Sequence, residues 1–433
     1  MKRSGQSMMF RSLRHRNARV FFFGLMVSNI GSWMQATATL LVVDRLTGRG
    51  TDLGITLLFQ FLPMLLLGAW AGALADRVNK RKMAVITQAG LALQALLLGV
   101  LSLLGVLNLP VIYALSLTLG ILGALDNPAR RGFVLELVEE EDISNVIALN
   151  TAVMTGSRVF GPALAAVLLQ VMEPGWLFLL NGVTFVAILI PLVTVNTGEL
   201  NPGPRAVRGG TPVRDGLRYV ASNRRLLLIF IVFTVVGTFS FNYSVSLLKL
   251  ADQRFGDERL FGWLLAVTGI GSMCGALITA AQRRVGSWWF FGSAFILGVS
   301  GLVVAWAPSI WVAFAAGLPM GAGGAALIAS LNAISQQDSP PDMRGRLLAL
   351  GAVAFLGTTP IGAPATGWVA DHIGAEWSLA YGSVVALLAT AIGGAMRWRL
   401  QKVPTAEHVA APLVVDHADR GGVIVQDIAD LGR

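Results

Sequence analysis

The chain has 433 residues, 55% of them hydrophobic and only 13% charged, with a net charge of +9. Charged residues make up about a quarter of an ordinary soluble domain, so this composition excludes a soluble globular enzyme. A single cysteine, Cys274, excludes an internal disulfide.

In chain order, six basic residues (Lys2, Arg3, Arg11, Arg14, Arg16 and Arg19) lead into a first apolar run at 19–43. That run is too long for a signal-peptide core and lacks a small-residue cleavage site, so it reads as a retained span. Further runs follow at 54–75, 83–107, 109–126, 147–171 and 175–195. Residues 196–225, rich in Gly, Pro and Arg, form a linker; Val213, Leu217 and Val220 at helical spacing, with Arg214 and Arg218 between them, predict a short amphipathic helix on the membrane surface. Six more runs occupy 226–249, 260–282, 286–306, 309–336, 346–370 and 377–397, before a tail at 399–433.

Met83 to Leu125 and Val285 to Gln337 contain no Asp, Glu, Lys or Arg. Each is long enough for two spans of about 20 residues. The turn residues Asn108-Leu109-Pro110 and Ala307-Pro308-Ser309 mark where each pair reverses. Uninterrupted rather than alternating apolar runs select helices over a barrel. Twelve spans with both ends inside place 27 of the 33 Lys and Arg on the cytoplasmic side, the asymmetry that the positive-inside rule requires. A basic surface against anionic lipid thus accounts for the net charge, and no nucleic-acid partner is needed.

The chain partly overlays itself. A shift of 201 residues brings Gly120, Gly123, Gly156, Gly161 and Trp176 onto Gly321, Gly324, Gly357, Gly362 and Trp377; a shift of 203 brings Gly68, Gly72, Lys80 and Arg81 onto Gly271, Gly275, Arg283 and Arg284. The expected organisation is a basic cytoplasmic N-terminus (1–18), a six-helix half (19–195), the cytoplasmic linker (196–225), a second half (226–398) and a cytoplasmic tail. Duplicated membrane units of this kind are characteristic of transporters that bind substrate near the bilayer midplane.

Between the second and third runs stands Gly72-Ala-Leu-Ala-Asp76-Arg77-Val-Asn79-Lys80-Arg81-Lys82. It resembles the G-x-L-A-D-R-x-G-R-K loop motif of the major facilitator superfamily, with Asn79 in place of the second glycine. The resemblance covers residues 19 to 397 and implies an all-α membrane protein with twelve transmembrane helices in two pseudo-symmetric six-helix halves. Gly68 and Gly72 form a G-x-x-x-G face suited to close helix approach. In the superfamily that face meets the eleventh helix, which begins here near Gly345-Arg346. The resemblance then implies a latch, with Asp76 against the positive end of that helix when the cytoplasmic side is closed and Arg77 paired with Asp126. The competing reading is that Asp76, Arg77, Lys80 and Arg81 only mark topology.

A second set of residues, Asp126-Asn-Pro-Ala-Arg130-Arg131, Asn145 to Asn150, Ser157-Arg158-Val-Phe-Gly161-Pro162-Ala163 and Phe261-Gly262-Trp263, is similar to the branch that includes enterobactin exporters and macrolide efflux proteins. The branch implies export of a bulky, partly hydrophobic compound. Gly161-Pro162 also matches part of an antiporter motif, and Gly362 with Pro364 is its counterpart in the second half; both permit bending within a span.

Arg158 is the only formal charge deep in a run. Facing lipid it would cost about 2.5–3.5 kcal/mol, so it faces protein or water, either as a substrate contact or as a structural hub. The superfamily lines its cavity with helices one, four, seven and ten, which makes Asn29, Ser32, Gln35, Phe239, Asn242 and Tyr243 substrate-binding candidates beside Arg158. No carboxylate lies at midplane, and Asp126 is read either as a latch partner or as a proton carrier. The expected function is outward transport of a small organic molecule (drug, macrolide or siderophore type) across a bacterial inner membrane by alternating access, with proton antiport and a monomeric state. The alternatives are an importer of a nutrient or lipid-like molecule and a non-transporting receptor or assembly factor. No hydrolytic motif, metal set or cofactor loop stands in the sequence.

Overall fold

The computed structural model describes residues 8–201 and 212–402. The first seven residues, the linker stretch 202–211 and the tail from 403, with the basic and acidic groups they carry in sequence, lie outside the described residues.

All regular structure among the described residues is helical. The first group comprises α1 (Arg16–Thr47), α2 (Gly50–Ala75), α3 (Lys80–Leu103), α4 (Leu109–Glu136), α5 (Ile143–Leu168) and α6 (Pro174–Thr194). A short α7 (Pro212–Ser222) precedes α8 (Arg224–Ser240), α9 (Tyr243–Gln253), α10 (Leu260–Ala280), α11 (Ser287–Ala305) and α12 (Ile310–Gln337). The chain continues through α13 (Pro341–Leu356), α14 (Thr359–His372) and α15 (Ala375–Lys402). Eleven segments are long and apolar enough to cross a membrane, with α8–α9 counting as one and α13–α14 as another. The 32-residue α1 is not among them, because Ser28, Asn29, Ser32, Gln35, Thr37 and Thr39 dilute its apolar surface.

The turn residues act as caps. Asn108 accepts from the Val111 amide at 3.1 Å and Ser309 from the Val312 amide at 3.5 Å, starting α4 and α12. Asn79, which stands in place of the motif's second glycine, has φ −68° and caps α3 by accepting from the Lys82 amide at 3.0 Å. A cap needs only an oxygen at this position, so the missing glycine costs the turn nothing.

The helices depart from the hydropathy reading at one helix end and at two interior breaks. The run ending at 126 continues helically to Glu136, which leaves Asp126 ten residues inside α4, about 15 Å from its end. Two spans are broken, at Phe241–Asn242 between α8 and α9 and at Gly357–Thr358 between α13 and α14.

The starts of α1, α3 and α5 and the ends of α2, α4 and α6 share one end of the bundle, here termed the terminal face; residues 48–49, 104–108 and 254–259 belong to the opposite face. Within the first group α1 packs on α5 and α6, α3 on α4 and α6, and α2 on α4. The pairings recur later in the chain, where α10 and α11 pack on α12, and α15 packs on α8 and α11. Gly120 of α4 lies against the Gln60 carbonyl of α2, and Gly321 of α12 lies against the Thr268 carbonyl of α10, matching roles 201 residues apart. Between the two groups the principal contacts are α2 with α14 and α5 with α10.

Candidate substrate pathway and gates

At the opposite face the two groups are tied by polar contacts. Lys249 of α9 donates to Asp44 Oδ1 of α1 at 2.9 Å and to the Gly48 carbonyl at 2.7 Å. Arg45 pairs with Glu258 at 2.6 Å. Asp371, near the end of α14, accepts from the Gly50 and Thr51 amides at 2.5 and 2.8 Å and from the Thr51 hydroxyl at 2.6 Å. It thereby caps the otherwise unsatisfied first turn of α2 from another helix. Below this cap α2 and α14 are in backbone contact, and a Cβ on Gly54 would lie 2.6 Å from Pro364 Cα.

Toward the terminal face the same pair of spans separates. Leu65 still reaches Gly357, but Cβ positions on Gly68 and Gly72, and on Gly345 at the start of α13, have no atom within 4 Å. Asp76 and Arg77 are exposed. The seam between α5 and α10 follows the same pattern: Gly262 meets Pro162 and Ala166, Gly269 meets the Arg158 carbonyl, and Ile147 and Ala148 nearer the terminal face are exposed. A vestibule therefore opens to the terminal face and closes near Arg158.

A cavity of about 260 Å³ lies among α1, α2, α3, α4 and α6. Asn29, Ser32, Gln35, Gln94, Ser116 and Asp126 contribute to its polar lining, and Phe61, Met64 and Phe185 to its apolar lining. Its back wall is a side-chain amide chain: Asn181 donates to Gln35 Oε1 at 2.7 Å, and Gln35 donates to Gln94 Oε1 at 3.1 Å. Asp126 accepts from Thr87 and Gln88 at 2.9 and 2.8 Å and pairs with Arg130, one turn on, at 2.9 Å.

A twelve-run hydropathy pattern, a vestibule open at one face and a polar cavity together meet one family. The sequence profile of the transmembrane secretion effectors matches residues 7–428. The chain belongs to this family of major facilitator transporters. It is 26% identical over 362 residues to an uncharacterized MFS-type transporter, YfiS, of Bacillus subtilis, covering 80% of this chain and 85% of that protein. It is 24% identical over 287 residues to the staphyloferrin A transporter of Staphylococcus aureus, covering 65% and 72%. The fold is similar to that of a bacterial homologue of the lysosomal transporter Spinster, solved inward-facing and unoccupied, with a TM-score of 0.69 at 14% identity over 93% of this chain and 100% of the other. This secretion effector is a multi-pass membrane transporter and not an enzyme.

The motif residues of this transporter separate into two groups. Gly68, Gly72, Asp76 and Arg77 stand free around the open vestibule. Lys80 and Arg81 are engaged within the first helix group: Lys80 pairs with Glu136 of α4 at 2.9 Å, while Arg81 donates to the Leu192 carbonyl at 2.5 Å and to that of Val193, satisfying the end of α6. The expected Arg77–Asp126 pair is not formed here, because Arg130 occupies Asp126 and Arg77 faces solvent.

Gly161 and Pro162 lie in a continuous α5, where Gly161 contacts Ile30, Trp33 and Met34 of α1. Gly362 and Pro364 lie in α14 just beyond the break, with Gly362 against the Thr238 carbonyl and the Asn242 amide. Asn29, Ser32 and Gln35 line the cavity, although Asn29 and Ser32 donate to their own helix at Leu25 and Ser28. Phe239, Asn242, Tyr243 and Arg158 stand outside that cavity. Phe239 packs edge-on against Tyr381 at 6.3 Å, and Asn242 donates to the Thr238 carbonyl at 2.6 Å. Arg158 lies over the Trp33 ring at 5.3 Å and within electrostatic reach of Tyr243.

Lys249 and Asp371 tie the two helix groups at the opposite face, yet hydropathy gave neither a role. A lysine in an apolar run was the available signal for the first. The i, i+4 spacing of Asp126 and Arg130 was the signal for their pair.

Proposed function

We propose that this transporter is a twelve-span exporter built from two six-helix halves, placed in a bacterial inner membrane with both termini cytoplasmic. In this reading the terminal face is the cytoplasmic one, consistent with the basic residues clustered there. The observation that carries the proposal is the uneven seam between α2 and the α13–α14 span, which is packed from Gly50 to Leu65 and open from Gly68 onward. Two rigid groups joined by such a seam can rock, closing the terminal side as the opposite side opens. Asp76 would then meet the free start of α13 as Asp371 leaves the start of α2.

The substrate is a small organic molecule of siderophore or drug type, taken up from the cytoplasm into the polar cavity. The staphyloferrin A transporter among its relatives and the secretion-effector family support this assignment. Coupling is to protons through Asp126, the one carboxylate lining the cavity. It lies in the cavity wall ten residues inside α4, paired with Arg130 and apart from the exposed Arg77, a position that sets it apart from the latch residues. Substrate binding rests on Asn29, Ser32, Gln35 and Arg158, with Phe239, Asn242 and Tyr243 on the facing half.

The test is flux in everted vesicles and proteoliposomes under an imposed proton gradient, with wild type beside Asp76→Asn. Gradient-driven accumulation in everted vesicles, abolished by Asp76→Asn at normal expression, supports the exporter. Accumulation in right-side-out vesicles instead marks an importer, and no gradient-dependent flux of any compound revives a receptor role.

A further inference from the structure

Arg158 stands where the α5–α10 contact ends, and its side chain is accessible from the vestibule although protein surrounds it. Among the described residues it has no hydrogen bond and no carboxylate partner; the Trp33 face is its one ring contact. Other buried charges are matched, Asp126 within the first helix group by Arg130 and Lys249 at the opposite face by Asp44. A cation left unpaired within a membrane bundle is costly, and residues of this kind mark ligand paths.

A second feature meets it from across the vestibule. The broken span restarts at Tyr243, the first residue of α9, within electrostatic reach of Arg158. The Asn242 side chain is turned back to the Thr238 carbonyl and does not cap α9, so the first-turn amides of α9 have no side-chain acceptor. An interrupted span thus adds the positive end of a helix to the field of an unpaired guanidinium, a combination that favours negative charge.

We propose that the transported molecule is an amphiphilic organic anion whose carboxylate completes Arg158, opposite the start of α9, while its aromatic or hydroxyl-bearing body lies along Trp33 toward the amide-lined cavity. A guanidinium offers a carboxylate two parallel donors, and the Trp33 ring holds it from behind. Ser32, the neighbour of Trp33 on α1, lines the cavity and joins the two regions. This inference rests on the transporter reading and narrows its substrate class. It disfavours lipophilic cations, which would meet an uncompensated like charge.

The test uses the full chain in lipid nanodiscs and three probes on one scaffold: 3-hydroxy-2-naphthoate, its neutral primary amide, and the matching arylmethylammonium. Binding is measured by calorimetry and thermal shift for wild type, Arg158→Lys and Arg158→Gln. The expected result is carboxylate binding at least about tenfold tighter than amide binding, with no ammonium binding. Arg158→Lys retains the preference, and Arg158→Gln removes it without changing amide binding. Ligand-free Arg158→Gln unfolds at or above the wild-type temperature, since it loses an unmatched charge.

Equal binding of amide or ammonium, no carboxylate binding, indifference to Arg158→Gln, or failure of that variant to fold overturns the inference in favour of a structural hub. Proton-driven flux of a neutral compound without carboxylate preference would leave the transporter reading standing and remove this one. Arg158-dependent carboxylate binding without any gradient-driven flux would do the reverse.

Discussion

Lys249 and Asp44 meet at 2.9 Å with side-chain exposures of only 1% and 4%, joining α9 to α1 across the opposite face. Two charges so deeply removed from water depend on each other. Removing one partner of a buried pair costs about 3–5 kcal/mol, because the other is left uncompensated. Asp44→Asn is therefore expected to move the conformational balance toward the form open at the opposite face by about a hundredfold or more. Distances between spin labels at Arg49 and Ile373 check this by lengthening. The double variant Asp44→Leu with Lys249→Met recovers much of the lost thermal stability.

Asp371 should act in the same direction with less force. Its carboxylate caps two amides and one hydroxyl of another helix, and charged caps contribute about 1–2 kcal/mol. Asp371→Asn is expected to shift the same label distances by about tenfold in population. Asp76→Asn should shift them oppositely, since its carboxylate has no partner among the described residues in this form.

Steric substitutions separate the two ends of α2. Gly54→Val drives a side chain into the backbone at Ala363 and Pro364, and overpacking of this kind costs about 1–3 kcal/mol. The opposite face should open and Tm should fall. Gly72→Val has free space in this form, so its Tm stays near wild type while transport falls, because the closed terminal face no longer has room for it.

Asp126 and Arg130 are expected to control coupling. Asp126→Asn keeps the shape of the side chain and its contacts with Thr87 and Gln88 but cannot release a proton. Flux driven by a substrate gradient should persist, while flux driven by a pH gradient should fall by at least about tenfold. Measuring both in one proteoliposome preparation separates loss of coupling from loss of binding.

The sequence made the helix-forming runs legible because lipid allows few alternatives: apolar length predicts spans, and Asn108 and Ser309 mark turns as caps. It was less informative where tertiary contacts decide the outcome. The end of α4 beyond Asp126 is polar on the surface and helical through its packing, so hydropathy stopped it short. The break at Phe241–Asn242 carries no Pro or Gly; it coincides with close packing of Thr238 and Asn242 against Gly362. Lys249 ends an apolar run, and its partner Asp44 stands 205 residues away in sequence, a pairing that no local pattern marks. Asn29, Ser32 and Gln35 stand out in the sequence as polar residues within an apolar run, whereas the amide partners of Gln35, Gln94 and Asn181, depend on helix rotation that hydropathy does not fix.

The close contact of Gly362 with the Thr238 carbonyl and the Asn242 amide sets the interrupted spans α8–α9 and α13–α14 against each other at one level. They share a fulcrum. Neither can flex there without displacing its neighbour, so the lower arms of both spans must swing in concert. A compound wedged into this crevice would stall the cycle without ever competing for the cargo.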